Sequence, residues 1–221
     1  MIGQPNLVAT LALALWPLLT LALVRGLGPA RGLVAGIVGG YLLLPPAPAG
    51  FDLPLLPTLG KDALPALSAL GAILLVAGRV WLWPADPWAR GLLVLLLLAP
   101  WATVLTNPDP VAWGPVLLPG LHPREAVGMT LIALVVMLPL LLGRALLADG
   151  ARDLLLAFAL GALLYSLPML LEVRLSPQLN IWIYGFFQHS FEQMMRGEGF
   201  RPIVFLYHGL WAAFLVLTGL L

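Results

Sequence analysis

The segment DLLLAFALGALLYSLPMLL, residues 153–171, decides the class of fold to which this chain belongs. It is almost entirely apolar, and its one charged residue, Asp153, stands at its first position. The hydrocarbon core of a bilayer is about 30 Å thick, and a helix of about 20 apolar residues crosses it. The segment therefore predicts a membrane-spanning helix, and the chain on both sides of it repeats the pattern.

The composition of the whole chain points the same way. Hydrophobic residues make up 61% and charged residues 10% of it, and the mean hydropathy is +1.00. Soluble domains carry roughly 25% charged residues, so an integral membrane protein is predicted. The net charge of +1 and the lack of a basic tract give no indication of nucleic-acid binding. The chain has no cysteine, which excludes disulfides and thiolate chemistry.

Seven apolar segments predict an all-α fold, a polytopic transmembrane helical bundle formed by a single domain over residues 1–221. The first segment has no basic residue before it and no small-residue cleavage site after it, so it is interpreted as a retained span and not as a signal peptide. Gly36 and Gly40 form a small-xxx-small pair that would let the second segment pack closely on a neighbour. The seven segments lie at about 7–24, 30–45, 64–83, 89–105, 126–143, 153–171 and 203–221.

The arginines predict the orientation, because cytoplasmic loops of membrane proteins are enriched in Lys and Arg. The second and fourth connections carry only Lys61 and Arg124, each beside an acidic residue. The pattern predicts an N-terminus outside, with residues 45–62, 106–125 and 172–202 on the external face. The predicted cytoplasmic arginines are Arg25, Arg31, Arg79, Arg90, Arg144 and Arg152.

The last predicted external loop reads EVRLSPQLNIWIYGFFQHSFEQMMRGEGFRP, residues 172–202, and holds three arginines. Ser176 followed by proline is typical of a helix start. Apolar side chains then recur up to Met195, before two glycines, so an amphipathic helix at the external interface is predicted. Arg201 stands at the entry to the last predicted span, and His208 is placed about two turns inside it.

Arginines kept at an external membrane face indicate binding of a diphosphate, since guanidinium groups form paired hydrogen bonds with phosphate oxygens and stay charged. Arg201 is the first candidate, because a cation that heads into the membrane without a partner is costly. Arg174 and Arg196 are further candidates. Structural alternatives stay open for both: Arg174 pairs with Glu172 or extends to the interface, and Arg196 pairs with Glu192.

The histidines of this region have alternative interpretations as well. His189 and Glu192 have the helical spacing of metal ligands, but two ligands do not make a site, so neither a metal nor another cofactor is predicted. His208 is interpreted as a hydrogen-bonding partner between helices or as a candidate general base.

The segment GFRPIVFLYHGLWAAF, residues 199–214, resembles the arginine-containing entry to the membrane core of the O-antigen ligase and polymerase superfamily, which comprises bacterial membrane glycosyltransferases. The stretches FDLPLLPTLGKDALPALSAL, residues 51–70, and TNPDPVAWGPVLLPGLHPREA, residues 106–126, are similar to a branch that holds O-antigen polymerase and exopolysaccharide proteins. The resemblance extends over most of the chain, and Arg201, His208 and Arg174 are the residues that match a motif.

This resemblance implies a multi-pass protein of the bacterial inner membrane that acts at the periplasmic face. The donor would be a polyprenyl-diphosphate-linked glycan and the acceptor a sugar or a lipid-linked sugar, with no nucleotide sugar and no metal. Arg201 would bind the donor diphosphate, with Arg174 or Arg196 as a second contact. A histidine in a later loop activates the acceptor in the family. The resemblance therefore implies that residues 1–221 are the N-terminal part of a longer protein and do not turn over substrate alone.

Two hypotheses of other classes remain beside the glycosyltransferase. A glycolipid transporter or flippase would use the same arginines as a binding site, and such proteins typically show internal repeats and charged residues within their spans. The sequence has no internal repeat, and His208 is the one ionisable residue that the prediction places well inside a span. A non-catalytic membrane scaffold would tolerate substitution of all three loop arginines together.

Overall fold

A computed structural model describes residues 2–53, 57–147 and 151–220, without the side chains of Ile2 and Arg196. Within these ranges the protein is mostly helical (66%). The helices follow the apolar runs, and most of them begin at a proline or directly after a capping side chain, as Asn6 and Asp86 show. They are α1 (Leu7–Leu27), α2 (Pro29–Leu43), α3 (Leu64–Ala77), α4 (Pro87–Thr106), α5 (Pro123–Leu146), α6 (Arg152–Leu175), α7 (Leu179–Tyr184) and α8 (Gly209–Leu220).

Four of the described helices, α1, α4, α5 and α6, are long and apolar enough to cross a membrane, by length and composition. Helices α2, α3 and α8 are apolar but shorter, with 15, 14 and 12 residues. An apolar helix therefore lies at each of the seven predicted segments, which supports a membrane protein. That all seven helices cross the membrane stays a prediction.

The first three helices pack closely because α2 presents glycines to its neighbours. A Cβ atom on Gly32 would overlap the backbone of Val24 in α1. One on Gly36 would lie 2.8 Å from the Thr20 Cγ2, and one on Gly40 would lie 2.5 Å from a proline ring of α3. The close packing predicted from Gly36 and Gly40 is confirmed, and Gly32 extends the same stripe.

The connections between helices gather at two ends of the protein. At one end, the buried side chains of Val24, Leu33, Ile73 and Leu142 form one apolar cluster. The predicted cytoplasmic loops converge there, and Arg144 donates a hydrogen bond to the carbonyl oxygen of residue 82 at 3.0 Å. The ends of α1, α3 and α5 therefore meet, as alternating helix directions require.

The opposite end carries four pairs of short antiparallel strands. The pair of β1 and β6 joins the start of the chain to the segment after α7, whereas the other three pairs are local hairpins. Because β6 is buried, the predicted external loop 172–202 is tied to the N-terminus and not to lipid. The strands are β1 (Ile2–Gly3), β2 (Gly50–Phe51), β3 (Leu59–Gly60), β4 (Val111–Trp113), β5 (Val116–Leu118), β6 (Phe186–Phe187), β7 (Met195–Arg196) and β8 (Gly199–Phe200).

The amphipathic helix predicted from Ser176 to Met195 is wrong over most of that range. Helix α7 has only six residues and ends at Gly185, whose φ of 87° stops the helix. Strand β6 follows directly, and then a 3₁₀ turn over Phe191–Met194. Phe187 and Met194, which the sequence places on the lipid-facing stripe, are buried inside the protein.

Two predicted spans are shorter than expected. Helix α3 ends at Ala77, because Gly78 adopts a left-handed conformation with φ of 75°. The helix predicted from residue 203 begins only at Gly209. The residues between Arg201 and Gly209 are not helical, and they form the centre of the candidate site.

Candidate functional site

The segment Ile203–His208, here called the unwound segment, lies between the strand β8 and the helix α8 without forming either structure. Ile203 and Val204 are fully buried, and Leu206 is 6% exposed. Backbone N–H and C=O groups that lie in apolar surroundings must find partners within the protein. The partners of this segment are side chains from several distant elements.

Glu172, near the end of α6, accepts most of the hydrogen bonds that the backbone N–H groups of the unwound segment donate to side chains. Its side chain is buried, with 1% exposed. One carboxylate oxygen accepts hydrogen bonds from the backbone N–H groups of Ile203 at 2.9 Å and Val204 at 2.7 Å, and the other accepts one from Leu179 at 3.1 Å. Hydrogen bonds to a charged group are stronger than neutral ones. Glu172 therefore fixes the unwound segment and the start of α7 to the end of α6.

Three further side chains form hydrogen bonds with the backbone of the unwound segment. The Tyr165 hydroxyl accepts a hydrogen bond from the N–H of Phe205 at 2.9 Å. The carbonyl oxygen of Phe205 accepts one from the Lys61 Nζ at 2.5 Å. The Gln188 amide donates to the carbonyl oxygens of Val204 and Leu206 at 2.9 and 3.1 Å. The segment is thus held in a fixed shape by four side chains that are far apart in the sequence.

Val204 shows how strongly this shape is imposed. Its φ of 52° lies in the left-handed region, which is a genuine outlier for a β-branched residue. Such conformations persist when the surrounding contacts determine them, and they cluster at ligand sites and switch regions. Here the Glu172 carboxylate and the Gln188 amide bind both sides of the Val204 backbone.

Arg201 lies two residues before the unwound segment, which separates it from the last helix, whereas the sequence predicts it at the entry to that helix. Its backbone N–H donates to the carbonyl oxygen of Met194 at 2.8 Å, and its side chain is half-buried over Gly209, the first residue of α8. A Cβ atom at position 209 would overlap the Arg201 stem, so only glycine leaves room for it. Throughout the described part of the chain, the Arg201 guanidinium forms no hydrogen bond or ion pair. It is therefore available to an anionic ligand.

His208 ends the unwound segment, and the prediction that it lies two turns inside a helix is wrong. Its ring lies 4.8 Å from that of His189, between ring centroids. The His208 Nδ1 accepts a hydrogen bond from the N–H of Leu210 at 3.0 Å. When the ring is neutral, its proton therefore resides on Nε2, which makes that nitrogen a donor.

Arg174 does not join Arg201 in the part of the chain that the structure describes, and the side chain of Arg196 lies outside that part. Arg174 is exposed near the end of α6, and the predicted pair with Glu172 is not formed, because that carboxylate accepts backbone donors instead. The backbone of Arg196 lies in β7, but its side chain is outside the described residues. Its predicted pairing with Glu192 and its contact with a donor therefore stay predictions.

His189 and Glu192 have the sequence spacing of metal ligands, but the described part of the structure brings no third ligand to them. Glu192 lies in the 3₁₀ turn, whereas the ring of His189 lies against that of His208 at an angle of 54°. Among the residues that the structure describes, no group of three or more His, Asp or Glu side chains is placed to hold a metal ion.

A cavity of about 590 Å³ lies beside α8, between α2, α5 and α6. Its walls are aliphatic and aromatic side chains, and at one end four polar side chains come together: Tyr41, Lys61, Asp62 and Tyr207. We call the cavity the groove and its polar end the mouth. The Tyr207 hydroxyl donates to the Asp62 carboxylate at 2.8 Å, and the Tyr41 hydroxyl donates to the Asp62 backbone carbonyl at 3.3 Å.

Lys61 connects the mouth to the unwound segment. Its side chain is 1% exposed, and its Nζ donates to the carbonyl oxygens of Leu44 at 2.9 Å and Phe205 at 2.5 Å. Burial lowers the pKa of Lys61 from 10.5 to about 7, and the charge of Asp62 offsets part of this effect. The ammonium of Lys61 is thus a structural bridge between two backbone segments.

Sequence reasoning missed the parts played by Lys61 and Glu172. The sequence presents Lys61 as an ordinary loop cation beside Asp62, although it is the only lysine in the chain. It presents Glu172 as a possible partner of Arg174, because the two are close in sequence. Its true partners lie 31 and 32 residues away, and no local pattern indicates them.

Comparisons with protein families, with curated proteins and with solved structures find no match for this chain.

Proposed function

We propose that this protein acts in O-antigen or exopolysaccharide assembly by transferring a polyprenyl-diphosphate-linked glycan to a sugar acceptor at the periplasmic face of the bacterial inner membrane. The observation that carries the proposal is that the side chain of Arg201 packs over Gly209, the residue directly after His208, at the end of the fixed, non-helical segment. A guanidinium without a protein partner at such a place suits an anionic group that arrives with a membrane lipid.

The contacts of Glu172 favour an anionic ligand at Arg201. In many proteins a half-buried arginine pairs with the nearest carboxylate. Here the carboxylate of Glu172, which binds the backbone two and three residues after Arg201, accepts from three backbone N–H groups and forms no ion pair in the described part of the chain. The positive charge of Arg201 is therefore left uncompensated within the described residues, and a diphosphate would compensate it through two parallel hydrogen bonds.

In the proposed reaction, the bond between the anomeric carbon of the donor and the diphosphate oxygen breaks. The acceptor hydroxyl oxygen forms the new bond to that carbon and gives its proton to a base, and the polyprenyl diphosphate leaves with the electron pair. Arg201 would stabilise the charge that develops on the leaving diphosphate. His208 fits a second donor to the diphosphate better than a base, since its Nδ1 already accepts a hydrogen bond.

The test is the glycan made by cells that carry Arg201→Ala in the chromosomal gene. We expect the polymerised or ligated glycan to be lost while the amount of protein in the membrane is unchanged. Arg124→Ala is the matched control, because Arg124 is exposed and pairs with Glu125 at 2.7 Å. Normal glycan in Arg201→Ala cells would contradict the proposal. Normal glycan after simultaneous substitution of Arg174, Arg196 and Arg201 would indicate a scaffold.

A glycolipid transporter is the second candidate, and a specific observation favours it. Non-helical backbone and buried charged side chains, here Lys61 and Glu172, are typical of the ion and substrate pathways of transporters. The two functions differ in where lipid-linked glycan accumulates when the gene is deleted. Accumulation on the periplasmic side supports the transferase, and accumulation on the cytoplasmic side supports the transporter.

A further inference from the structure

The connection between α4 and α5 carries a hairpin, formed by β4 and β5, that lies outside the site described above. Gly114 and Pro115 form the two-residue turn between the strands, and the φ of Gly114 is 57°, as a turn with glycine at its first position requires. At the base of the connection, the N–H of Leu121 donates to the carbonyl oxygen of Asn107 at 2.9 Å. The hairpin is therefore closed at its base, directly beside the ends of two helices.

The register of the two strands places four large apolar side chains on one face. Residues directly opposite each other in an antiparallel pair lie on the same face, and side chains alternate between faces along each strand. Val111 lies opposite Leu118, and Trp113 lies opposite Val116. Each of these four residues is more than half exposed, and Trp113 is 77% exposed. We call this apolar surface the hairpin face.

The neighbouring helices indicate what covers the hairpin face. A continuous apolar patch on a protein surface marks a contact with another protein or with a membrane. Helices α4 and α5 are both long and apolar enough to cross a bilayer, and the exposed apolar surface of α4 continues to Leu105 in its last turn. The hairpin thus follows directly on helix surface that lipid would cover. Tryptophan, here Trp113, is enriched at the boundary between membrane and water.

The backbone of the hairpin limits how deep it can lie in the bilayer. In the described structure each strand pairs with one neighbour only, so the N–H and C=O groups of its outer edge need water or lipid head groups as partners. The charge of the connection is low as well, since Asp109 is the only Asp, Glu, Lys or Arg in residues 107–122. Burial of apolar area, and not attraction to charged lipids, would therefore hold the hairpin in the head-group layer.

We propose that the hairpin is an interfacial anchor, whose hairpin face lies on the bilayer with Trp113 among the lipid head groups. Ala112 and Leu117 belong to the opposite face, which is directed towards water. The anchor contacts the leaflet on the side where α4 ends, and it fixes the depth of the α4–α5 pair in the membrane. It uses neither Arg201 nor the groove, so it is independent of the proposed transfer reaction.

Spin labels at single cysteines test the proposal, because the chain has no cysteine of its own. The full chain is placed in phosphatidylcholine nanodiscs with one label at position 111 or 116, on the hairpin face. Labels at positions 112 and 117, on the opposite face of the same strands, are the matched controls. Collision rates with oxygen, which concentrates in lipid, and with a neutral nickel complex, which stays in water, report the surroundings of each label.

We expect collisions with oxygen to exceed those with nickel at positions 111 and 116, and the order to reverse at positions 112 and 117. Frequent nickel collisions at all four positions would overturn the proposal and show a hairpin that stands in water. Labels at 111 and 116 that are immobilised and shielded from both reagents would overturn it too. That result would indicate a hairpin face covered by a second copy or by another protein.

The native tryptophan provides a second test that needs no cysteine. The difference in fluorescence between the wild type and Trp113→Phe isolates the signal of Trp113. Phosphatidylcholine brominated near the head group should quench this signal more than phosphatidylcholine brominated near the chain end, and added salt should not change the quenching. A Trp113 signal that neither lipid quenches would contradict the anchor. Quenching that disappears at high salt would contradict apolar burial as its cause.

Discussion

At the scale of single residues, one carboxylate decides the geometry of the site. Glu172 accepts three backbone hydrogen bonds from two segments, and it is 1% exposed. The arginine that the sequence singled out, Arg201, depends on it indirectly, because Glu172 fixes the segment that starts two residues later. The sequence identifies Arg201, since a lone cation at a predicted membrane entry is unusual. It cannot identify Glu172, since the backbone partners appear only after folding.

Glu172→Ala should lower the thermal unfolding midpoint of the protein in detergent strongly. Each buried N–H left without an acceptor costs about 1–3 kcal/mol, and three are affected. Glu172→Gln should destabilise less, because its amide oxygen still accepts. Glu198→Gln, at an exposed position of the same loop, is the control and should change nothing. Equal midpoints in Glu172→Ala and the wild type would refute the role of the carboxylate.

The buried Lys61 should make the free energy of unfolding depend on pH, and the sign of this dependence follows from its burial. Because the pKa of Lys61 falls from 10.5 to about 7 on folding, the unfolded chain binds one more proton than the folded protein between these values. The free energy of unfolding should therefore rise with pH from 7 towards 10, with a slope of up to about 1.4 kcal/mol per pH unit, and show no such rise below 7.

Unfolding midpoints measured from pH 6 to 9.5 in wild type, Lys61→Met and Lys61→Arg would check this. Both substitutions remove the titrating amine, so both profiles should be flatter than that of the wild type. A rise that persists in either variant would assign the effect to another group.

At the scale of elements, hydrophobicity locates the helices but not where they end. In the part of the chain that the structure describes, the seven apolar helices overlap the predicted segments, because a long apolar run needs no tertiary information to be recognised. The ends of α3 and α7 are set by Gly78 and Gly185 in left-handed conformations, and the start of α8 is set by side chains from other elements. The amphipathic helix was mispredicted because the phenylalanines of β6 face the protein core.

The first residue of α8 offers a test of the site that leaves the helix intact. In Gly209→Ala, the new Cβ should displace the Arg201 stem, while alanine is a better helix former than glycine. We expect an unfolding midpoint close to that of the wild type and a large loss of glycan product. Gly128→Ala in α5 is the control, because nothing lies within 4 Å of its Cβ position. Full activity of Gly209→Ala would contradict the claim that glycan transfer needs the Arg201 side chain at its place over Gly209.

At the scale of the whole molecule, the alternation of helix directions divides the loops between two ends. The predicted external loops and the N-terminus meet through the pair of β1 and β6 and through Lys61. The predicted cytoplasmic loops meet around the Leu142 cluster and through the pair of Arg31 and Asp153. This grouping follows from the order of the spans in the sequence. The groove could not be predicted from the sequence, because residues from four helices and the loop 57–63 line it.

The absence of native cysteine makes the orientation directly testable. Single cysteines at positions 109 and 112 should react with a membrane-impermeant maleimide in intact spheroplasts. Cysteines at positions 85 and 151 should react only after the membrane is opened. The reverse pattern would place Arg201 and the groove mouth on the cytoplasmic face, where the proposed transfer does not occur.

The first measurement to make is the affinity of the purified protein for a polyprenyl diphosphate, because Arg201 is proposed to bind this group. Arg201→Ala should weaken binding by about ten- to a hundredfold, since a hydrogen bond to a charged group contributes about 1.5–3 kcal/mol. Arg124→Ala should bind as the wild type does, and the matching monophosphate should depend less on Arg201. Unchanged affinity in Arg201→Ala would contradict the assignment of this arginine to a lipid diphosphate.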